Sequence, residues 1–197
     1  MKFPIFPLNG AIMFPGTNLP LNIFEERYIQ MVDYSLSNDR LIGMIQTKQN
    51  EDFFNIGCLG KITSFKETND GRYQINLEGL NRFKFNKIIK TDYKFITIEG
   101  TIIKLTKNIK KTNADLKEKL LSNFKRFLKA KNLNFNTLEF EELDTANLAK
   151  IICVISPLDY LIKQMLLEFD SVDDFCKSLV SVLEIEMKNT ENNLKVN

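Results

Sequence analysis

Histidine and tryptophan are absent from this 197-residue chain, and cysteine occurs only three times. Without imidazole, no serine or cysteine mechanism that uses histidine as its base can operate, and a zinc site with histidine ligands is excluded. Cys58, Cys153 and Cys176 are scattered and lack Cys-x-x-Cys spacing, which argues against a disulfide framework and fits a reducing compartment. We therefore expect a cytoplasmic protein whose thiols are buried in its core.

The chain also lacks an excess of either charge and any long apolar run. It carries 27 basic and 25 acidic side chains, so its surface as a whole is not adapted to nucleic acid or anionic lipid. No apolar stretch approaches the roughly 18 to 20 residues that a membrane span needs, and prolines interrupt the start, where a signal peptide would be continuous. We expect no membrane segment and no nucleic-acid partner.

Glycine and proline are confined to one part of the chain. All eight glycines lie at or before Gly100, and four of the five prolines lie in the first twenty residues. Over residues 1–106 the apolar residues alternate with a period of two, most clearly in "RYQINLEGL", whereas over 107–197 their period is that of a helix. The sequence predicts an α+β fold, with a β-rich domain at 1–106 and a linker and helical bundle at 107–197.

The predicted elements follow from these two periods. Strands are expected at 3–8, 19–24, 41–47, 58–65, 72–80, 83–89 and 95–105, with a hairpin turn at Asp70-Gly71, a bulge at Gly100 and one helix over 25–38. After a linker at 106–113, helices are expected over 114–131, within 137–155, from Ser156 and over 172–188 with Ser171 as N-cap. These would form a four- or five-helix bundle.

A conspicuous local motif is "MFPGTNLP", at residues 13–20. Pro15 and Gly16 fit the second and third positions of a type II turn, because proline presets φ and glycine accepts a positive φ. Pro20 suits an edge strand, where a missing N–H does not interrupt a ladder. The motif predicts a structural corner and gives none of its residues a chemical task.

Motifs that suggest catalysis or a cofactor have simpler interpretations. "GCLGKIT" lacks the glycine spacing of a phosphate loop and the hydroxyl directly after the lysine, so we interpret it as a strand. The acidic clusters at 138–144 and 170–174 lie at predicted helix starts, where carboxylates favour the helix dipole, and neither has the spacing of a calcium loop. The sequence therefore predicts no catalytic residue, no metal site and no cofactor.

Phe53 and Phe54 are the candidate binding residues. They are adjacent in the polar connection "QNEDFFNIG", where side chains of an extended segment point to opposite sides. One ring should then be exposed unless the segment folds back over the mouth of a barrel. Both interpretations, a peptide-binding pair and a covering of the core, stay open at this point.

The order of the motifs resembles one known family. "FPLNGAIMFPGTNLPLNIFEERYIQMV", then "RLIGMIQ", then "IGCLGKITSFKETNDGRYQINLEGLNRFKF" resembles the N-terminal substrate-binding domain of Lon proteases. The resemblance continues through "NLAKIICVISPLDYLIKQMLLEFDSVDDF" and is strongest to short stand-alone bacterial proteins that lack the ATPase and protease domains. It implies a PUA-like β pseudo-barrel with one helix, followed by a helical bundle.

The resemblance also implies a function. It suggests a non-catalytic module that binds unfolded or peptide-like protein segments, as an adaptor or regulator in protein quality control that acts with a protease in trans. The alternative is an RNA-binding PUA-like module that uses Lys84, Lys87, Lys90 and Lys94, because cations beside aromatic rings can hold a single strand. A serine hydrolase without histidine is the least favoured alternative, and the oligomeric state is not predicted.

Overall fold

The computed structural model describes residues 1–48, 52–103 and 114–195, and the predicted linker at 106–113 lies outside the described residues. The strands are β1 (Lys2–Pro7), β2 (Asn18–Ile23), β3 (Leu41–Ile45), β4 (Ile56–Glu67), β5 (Tyr73–Ile89) and β6 (Ile96–Ile103). The helices are α1 (Glu26–Leu36), α2 (Ala114–Ala130), α3 (Thr145–Ile155), α4 (Tyr160–Glu168) and α5 (Val172–Lys195), with a 3-10 turn at Leu138–Glu142. The predicted α+β class is confirmed.

The chain forms two compact units that are not continuous in sequence. Unit 1 consists of Met1–Leu105 and Asp159–Leu167, and unit 2 of Thr106–Leu158 and Glu168–Asn197. The sequence prediction placed everything after residue 106 in one bundle of four or five helices. Among the described residues unit 2 instead contains three α-helices and the 3-10 turn, because nearly all of α4 belongs to unit 1.

Unit 1 is built on a sheet that closes on itself. The strand order is β2-β5-β4-β3-β1-β6, and a further pairing of β5 with β6 joins five strands into a ring. β1 and β3 run parallel, and the other pairs are antiparallel. The predicted pseudo-barrel is therefore confirmed, with β2 attached to the ring only through β5.

β5 makes this closure possible because it is one long strand with several partners. One of its edges pairs with β4, while the other pairs with β2 from Tyr73 to Glu78 and then with β6 from Arg82 to Ile89. The prediction of two strands at 72–80 and 83–89 is wrong, because the backbone continues through Gly79 without a break. The bulge predicted at Gly100 is also wrong, since the register shift lies opposite, between Phe85 and Lys87.

The core of unit 1 fills the ring and the space beneath α1. Met31 and Val32 of α1 are fully buried, and the Tyr73 hydroxyl donates a hydrogen bond to Asp33 Oδ1 at 2.8 Å. That hydrogen bond raises the pKa of Tyr73 to about 12, because ionisation would place a phenolate beside a carboxylate. The largest core cluster consists of Phe6, Met13, Ile23, Tyr28, Met31, Val32, Ile42, Met44, Cys58, Ile62, Ile75, Leu77 and Phe95.

Unit 2 is a helical core whose helix starts are only partly as predicted. Ser171 caps α5 as expected, since its Oγ accepts the Asp174 N–H at 3.3 Å. Asp144 caps α3 by accepting the Asn147 N–H at 3.0 Å, a cap that the sequence prediction missed. The buried side chains of this core include Leu120, Phe124, Phe127, Leu148, Ile152, Leu179 and Leu183.

The helix predicted to start at Ser156 begins later. Ser156 ends α3, and its N–H donates to the Ile152 carbonyl at 3.0 Å. Asp159 precedes α4 and its Oδ1 accepts the Leu161 N–H at 2.8 Å, so the carboxylate rather than the hydroxyl caps this helix. The three residues after α3 thus carry the chain from unit 2 to unit 1.

The Pro15-Gly16 corner has the predicted geometry and a specific partner. Gly16 has φ of 83°, and the Thr17 N–H donates to the Phe14 carbonyl at 3.0 Å, as in a type II turn. The Gly16 N–H donates to the Gly79 carbonyl at 2.8 Å, and the Gly79 N–H donates to the Thr17 carbonyl at 2.9 Å. These bonds make Gly16 and Thr17 a glycine-type bulge opposite Gly79.

Gly79 must be glycine for a steric reason. A Cβ atom built at this position would lie 2.2 Å from the Phe14 carbonyl oxygen, which the corner holds in place. We predict that Gly79→Ala lowers the free energy of unfolding by about 1–3 kcal/mol or more, as overpacking does. Chemical denaturation monitored by circular dichroism measures this loss.

Gly60→Ala is the matched control for Gly79→Ala. Gly60 also lies in a strand without a positive φ, but its added Cβ would come closest to the flexible end of the Met13 side chain, at 2.7 Å, instead of a backbone carbonyl. A loss at Gly79 no larger than the loss at Gly60 would contradict the steric explanation.

Candidate functional site

The segment that carries Phe53 and Phe54 folds back on the ring. Thr47 and Phe53 form an antiparallel bridge, and the Phe54 N–H donates to the Gln46 carbonyl at 2.9 Å. The Phe53 ring packs edge-on against Phe85, with centroids 5.4 Å apart, while Lys48 Nζ lies 5.8 Å from the centroid of Phe54. Both rings are half-buried, so the folded-back conformation leaves neither fully exposed.

α4 lies beside this segment and is held by side-chain amides. Gln164 is 2% exposed; its Nε2 donates to the Ile56 carbonyl at 3.0 Å, and its Oε1 accepts from Gln46 Nε2 at 3.1 Å. Arg82, also buried, donates from a terminal nitrogen to the Leu167 carbonyl at 3.0 Å. Gln46 and Ile56 flank the phenylalanine pair, so these hydrogen bonds place α4 next to it.

The solvent side of α4 is apolar. Leu161 and Met165 are 48% and 44% exposed, and Ile162 between them is half-buried. Residues four apart are neighbours on a helix, so these three side chains form one continuous patch, which we call the α4 surface. The usual pattern of a surface helix is inverted here. The polar side chain of Gln164 is buried, while the large apolar side chains of Leu161 and Met165 face water.

The four lysines of the RNA alternative are on exposed positions of β5 and the loop after it, but two of them are paired. Lys87 Nζ lies 3.4 Å from a carboxylate oxygen of Glu99, and Lys94 forms an ion pair with Glu26. The hydrogen bond and the charge of Lys94 lower the pKa of the Glu26 carboxyl, which favours its ionised form. Lys84 and Lys90 are exposed on the same stretch.

Two cavities of unit 1 are too small for an organic ligand. The cavity beneath α4, lined in part by Met13, Met44 and Gln164, has a volume of ≈ 10 Å³, about enough for one water molecule. A second, of ≈ 70 Å³, lies beside the end of α1 and is lined in part by Lys2 and Asn38. Both are far below the several hundred Å³ that is typical of small-molecule sites.

The cysteine and acidic side chains of the described residues are not grouped to bind a metal ion. Cys58, Cys153 and Cys176 are buried, and burial raises the pKa of the Cys176 thiol to about 12, so it is protonated at neutral pH. Within residues 1–48, 52–103 and 114–195, no group of three or more cysteine or acidic side chains is arranged to hold a metal ion. None of the helices described above is long and apolar enough to cross a membrane.

Comparison with known proteins identifies the family. The profile of the ATP-dependent protease La (LON) substrate-binding domain matches residues 2–184, nearly the whole chain. The chain belongs to this family of LON substrate-binding domains, and the resemblance seen in the sequence is confirmed.

Curated relatives are much longer than this chain. The Lon protease of Buchnera aphidicola subsp. Acyrthosiphon pisum is 25% identical over 201 residues, which cover 95% of this chain and 25% of that protein. The Lon protease of Desulfosudis oleivorans is 30% identical over 128 residues, covering 61% of this chain and 15% of that protein. The chain thus spans about a quarter of the length of the Buchnera protein.

Solved structures share the fold. A Lon N-terminal domain protein from Xanthomonas campestris superposes with a TM-score of 0.70 at 20% identity, covering 92% of this chain and 98% of that one. The N-terminal domain of the Mycobacterium avium complex Lon protease gives a TM-score of 0.71 at 18% identity, covering 93% and 98%. At these identities the likeness establishes the fold alone.

The attachment of α4 to the ring can be tested with two separate variants at adjacent positions. One replaces the buried glutamine by methionine, and the other replaces the exposed methionine by glutamine. Gln164→Met removes the donor to the Ile56 carbonyl and one of the two acceptors of the Gln46 amide in a buried place, which we expect to cost about 1–3 kcal/mol of unfolding free energy. Met165→Gln makes the reverse change on the exposed side of the same turn and should stay within about 0.5 kcal/mol of the parent. Urea denaturation of both variants measures the difference, and equal midpoints would contradict the role given to Gln164.

Proposed function

We propose that this chain binds unfolded or peptide-like segments of other proteins. The observation that carries the proposal is the family match over residues 2–184, because the family is described as the substrate-binding part of Lon. An exposed apolar helix side supports it, since large apolar side chains of this kind mark interaction surfaces. The two small cavities of unit 1 and the buried Cys176 thiol, whose pKa burial raises, give no competing support to a small-molecule enzyme.

The α4 surface is the contact area that we propose. Leu161 and Met165 supply apolar area, and methionine, which is unbranched and polarisable, adapts to differently shaped partners. The buried Gln164 fixes the helix, so little conformational entropy is lost when a partner binds. Phe54, half-buried beside α4, would border the contact, while Phe53 would support it from below through Phe85.

A role as adaptor or regulator for a protease in trans is the finer part of this proposal, as is a cytoplasmic location. The catalytic activity of Lon proteases belongs to those proteins, and we propose none for the residues described here. RNA binding through Lys84, Lys87, Lys90 and Lys94 stays an untested alternative. Two of these lysines already have carboxylate partners, so they would contribute less charge to a phosphate backbone.

Binding can be measured with reduced, carboxymethylated lactalbumin, which is permanently unfolded. The double variant Leu161→Ser, Met165→Ser should bind this probe about tenfold more weakly or worse, because it removes both exposed apolar side chains of α4. Fluorescence anisotropy of the labelled probe gives the affinities. Failure of the parent chain to bind the probe at all would refute the proposed function.

Ile185→Ser is the matched control for the α4 variant. Ile185 lies on α5 in unit 2 and is 57% exposed, so the same type of change is made at a similar exposure on another helix. It should leave the affinity for the probe unchanged. An equal loss in both variants would show that the probe responds to general surface hydrophobicity and would remove α4 as the site.

A further inference from the structure

β2 is the open edge of the sheet in unit 1. The other five strands form the ring, whereas β2 pairs with β5 alone among the described strands. Asn18, Pro20 and Asn22 are exposed along it, and Leu19 and Leu21 are half-buried. A strand edge of this kind presents backbone N–H and C=O groups that another strand can use.

The register fixes which backbone groups point outward. Gly79 exchanges hydrogen bonds with the corner at Gly16 and Thr17, and antiparallel pairs alternate between hydrogen-bonded and non-hydrogen-bonded positions. Because Thr17 is hydrogen-bonded to Gly79, every second pair from there is also hydrogen-bonded. These are the pairs Leu19 with Leu77 and Leu21 with Ile75. The backbone groups of the residues between them therefore point away from β5.

The outward backbone groups of β2 include more hydrogen-bond acceptors than donors. Asn18, Pro20 and Asn22 present three carbonyls outward but only two N–H groups, because proline has none. A full antiparallel pairing of two β2 edges in two copies would place Pro20 opposite Pro20, which loses both central donors and crowds the two rings. Pro20 thus disfavours a second copy while leaving five backbone groups for a strand of different sequence.

The side chains of β2 favour a neutral, apolar occupant. From Asn18 to Phe24 the chain carries no charged residue, so an uncharged segment would meet neither repulsion nor a charge that must be desolvated. Leu19 and Leu21 face the same side of the sheet as the buried Ile75 and Leu77, yet remain partly open to water. A strand laid along the edge would cover both leucines.

We propose that β2 binds, by strand addition, an extended segment of another polypeptide with apolar residues at alternate positions. This inference rests on the proposed function for the class of its partner and adds a second binding site and a defined binding mode. Residues of the segment opposite Asn18, Pro20 and Asn22 make the backbone hydrogen bonds, the one opposite Pro20 only as a donor to its carbonyl. The residues opposite Leu19 and Leu21 direct apolar side chains onto these leucines, and their N–H groups point away from β2.

N-methylated peptides test this geometry without changing the protein. The probe is a synthetic peptide of about seven residues that alternates threonine and valine, long enough for a six-residue strand. Valine should face the leucines, so N-methylation of the threonines should weaken binding about tenfold or more, while N-methylation of the valines should have little effect. Equal effects of the two methylation patterns, or no binding of the unmethylated peptide, would overturn the proposal.

A variant of the edge gives an independent measurement. Asn22→Pro removes an outward N–H that β5 does not use, and Asn22→Ala keeps that N–H while removing the same side chain. We expect the peptide to bind Asn22→Ala normally and Asn22→Pro about tenfold more weakly, with denaturation confirming that both variants are folded. Unchanged peptide binding by folded Asn22→Pro would count against strand addition.

The experiments can refute the proposal for α4 and the proposal for β2 independently of each other. The Leu161→Ser, Met165→Ser variant should bind the threonine–valine peptide as the parent does, because α4 is not part of the β2 edge. If unfolded lactalbumin depends on α4 while the peptide ignores both N-methylation and Asn22→Pro, the proposed function stands and strand addition at β2 is refuted.

Discussion

Unit 1 depends on one strand, β5, serving two partners in succession along the same edge. β2 occupies that edge as far as Glu78 and β6 occupies it from Arg82, so the change of partner falls in the few residues between. Gly79 lies there, and the absence of a Cβ lets the Phe14 carbonyl approach where any side chain would collide. The turn at Pro15 and Gly16 directly precedes β2, which begins at Asn18 opposite Glu78, so the rest of this edge of β5 is available to β6. Ring closure and the open edge of β2 are therefore two results of the same close approach.

Much of this architecture could be predicted from local sequence. The period-two pattern identified the strands, and Pro15-Gly16 identified a turn whose hydrogen bonds and positive φ the structure confirms. Long-range pairing was not accessible in the same way, because a strand that changes partner at Gly79 has the same local pattern as two strands with a glycine between them. Two possible N-caps for α4 also lie close together in the sequence. Ser156-Pro157 has the pattern of a helix start, but the Asp159 carboxylate caps α4 in the structure.

The candidate surface on α4 was missed for a related reason. A helical period shows that a helix has a buried side, but it does not show which unit buries it, so α4 was assigned to the bundle by its neighbours in sequence. One signal was available: Gln164 is an uncharged polar residue within the largely apolar run "LIKQMLL" at residues 161–167. A buried glutamine needs partners, and here a barrel carbonyl and the amide of Gln46 provide them. Phe53 and Phe54 were selected from sequence alone, and the structure places the segment that contains them next to the same helix.

The discontinuity of the two units has a consequence for how the chain folds as it is synthesised. Residues 159–167 complete unit 1 but are synthesised only after residues 106–158, the whole first segment of unit 2. Until then the barrel side that receives α4, including Gln46 and the Ile56 carbonyl, faces water. Unit 2 is equally incomplete, because α5 follows α4 in the chain. At translation rates of about 5–20 residues per second, residues 1–105 wait several seconds for residues 159–167, and unit 2 is completed only afterwards, by Glu168–Asn197.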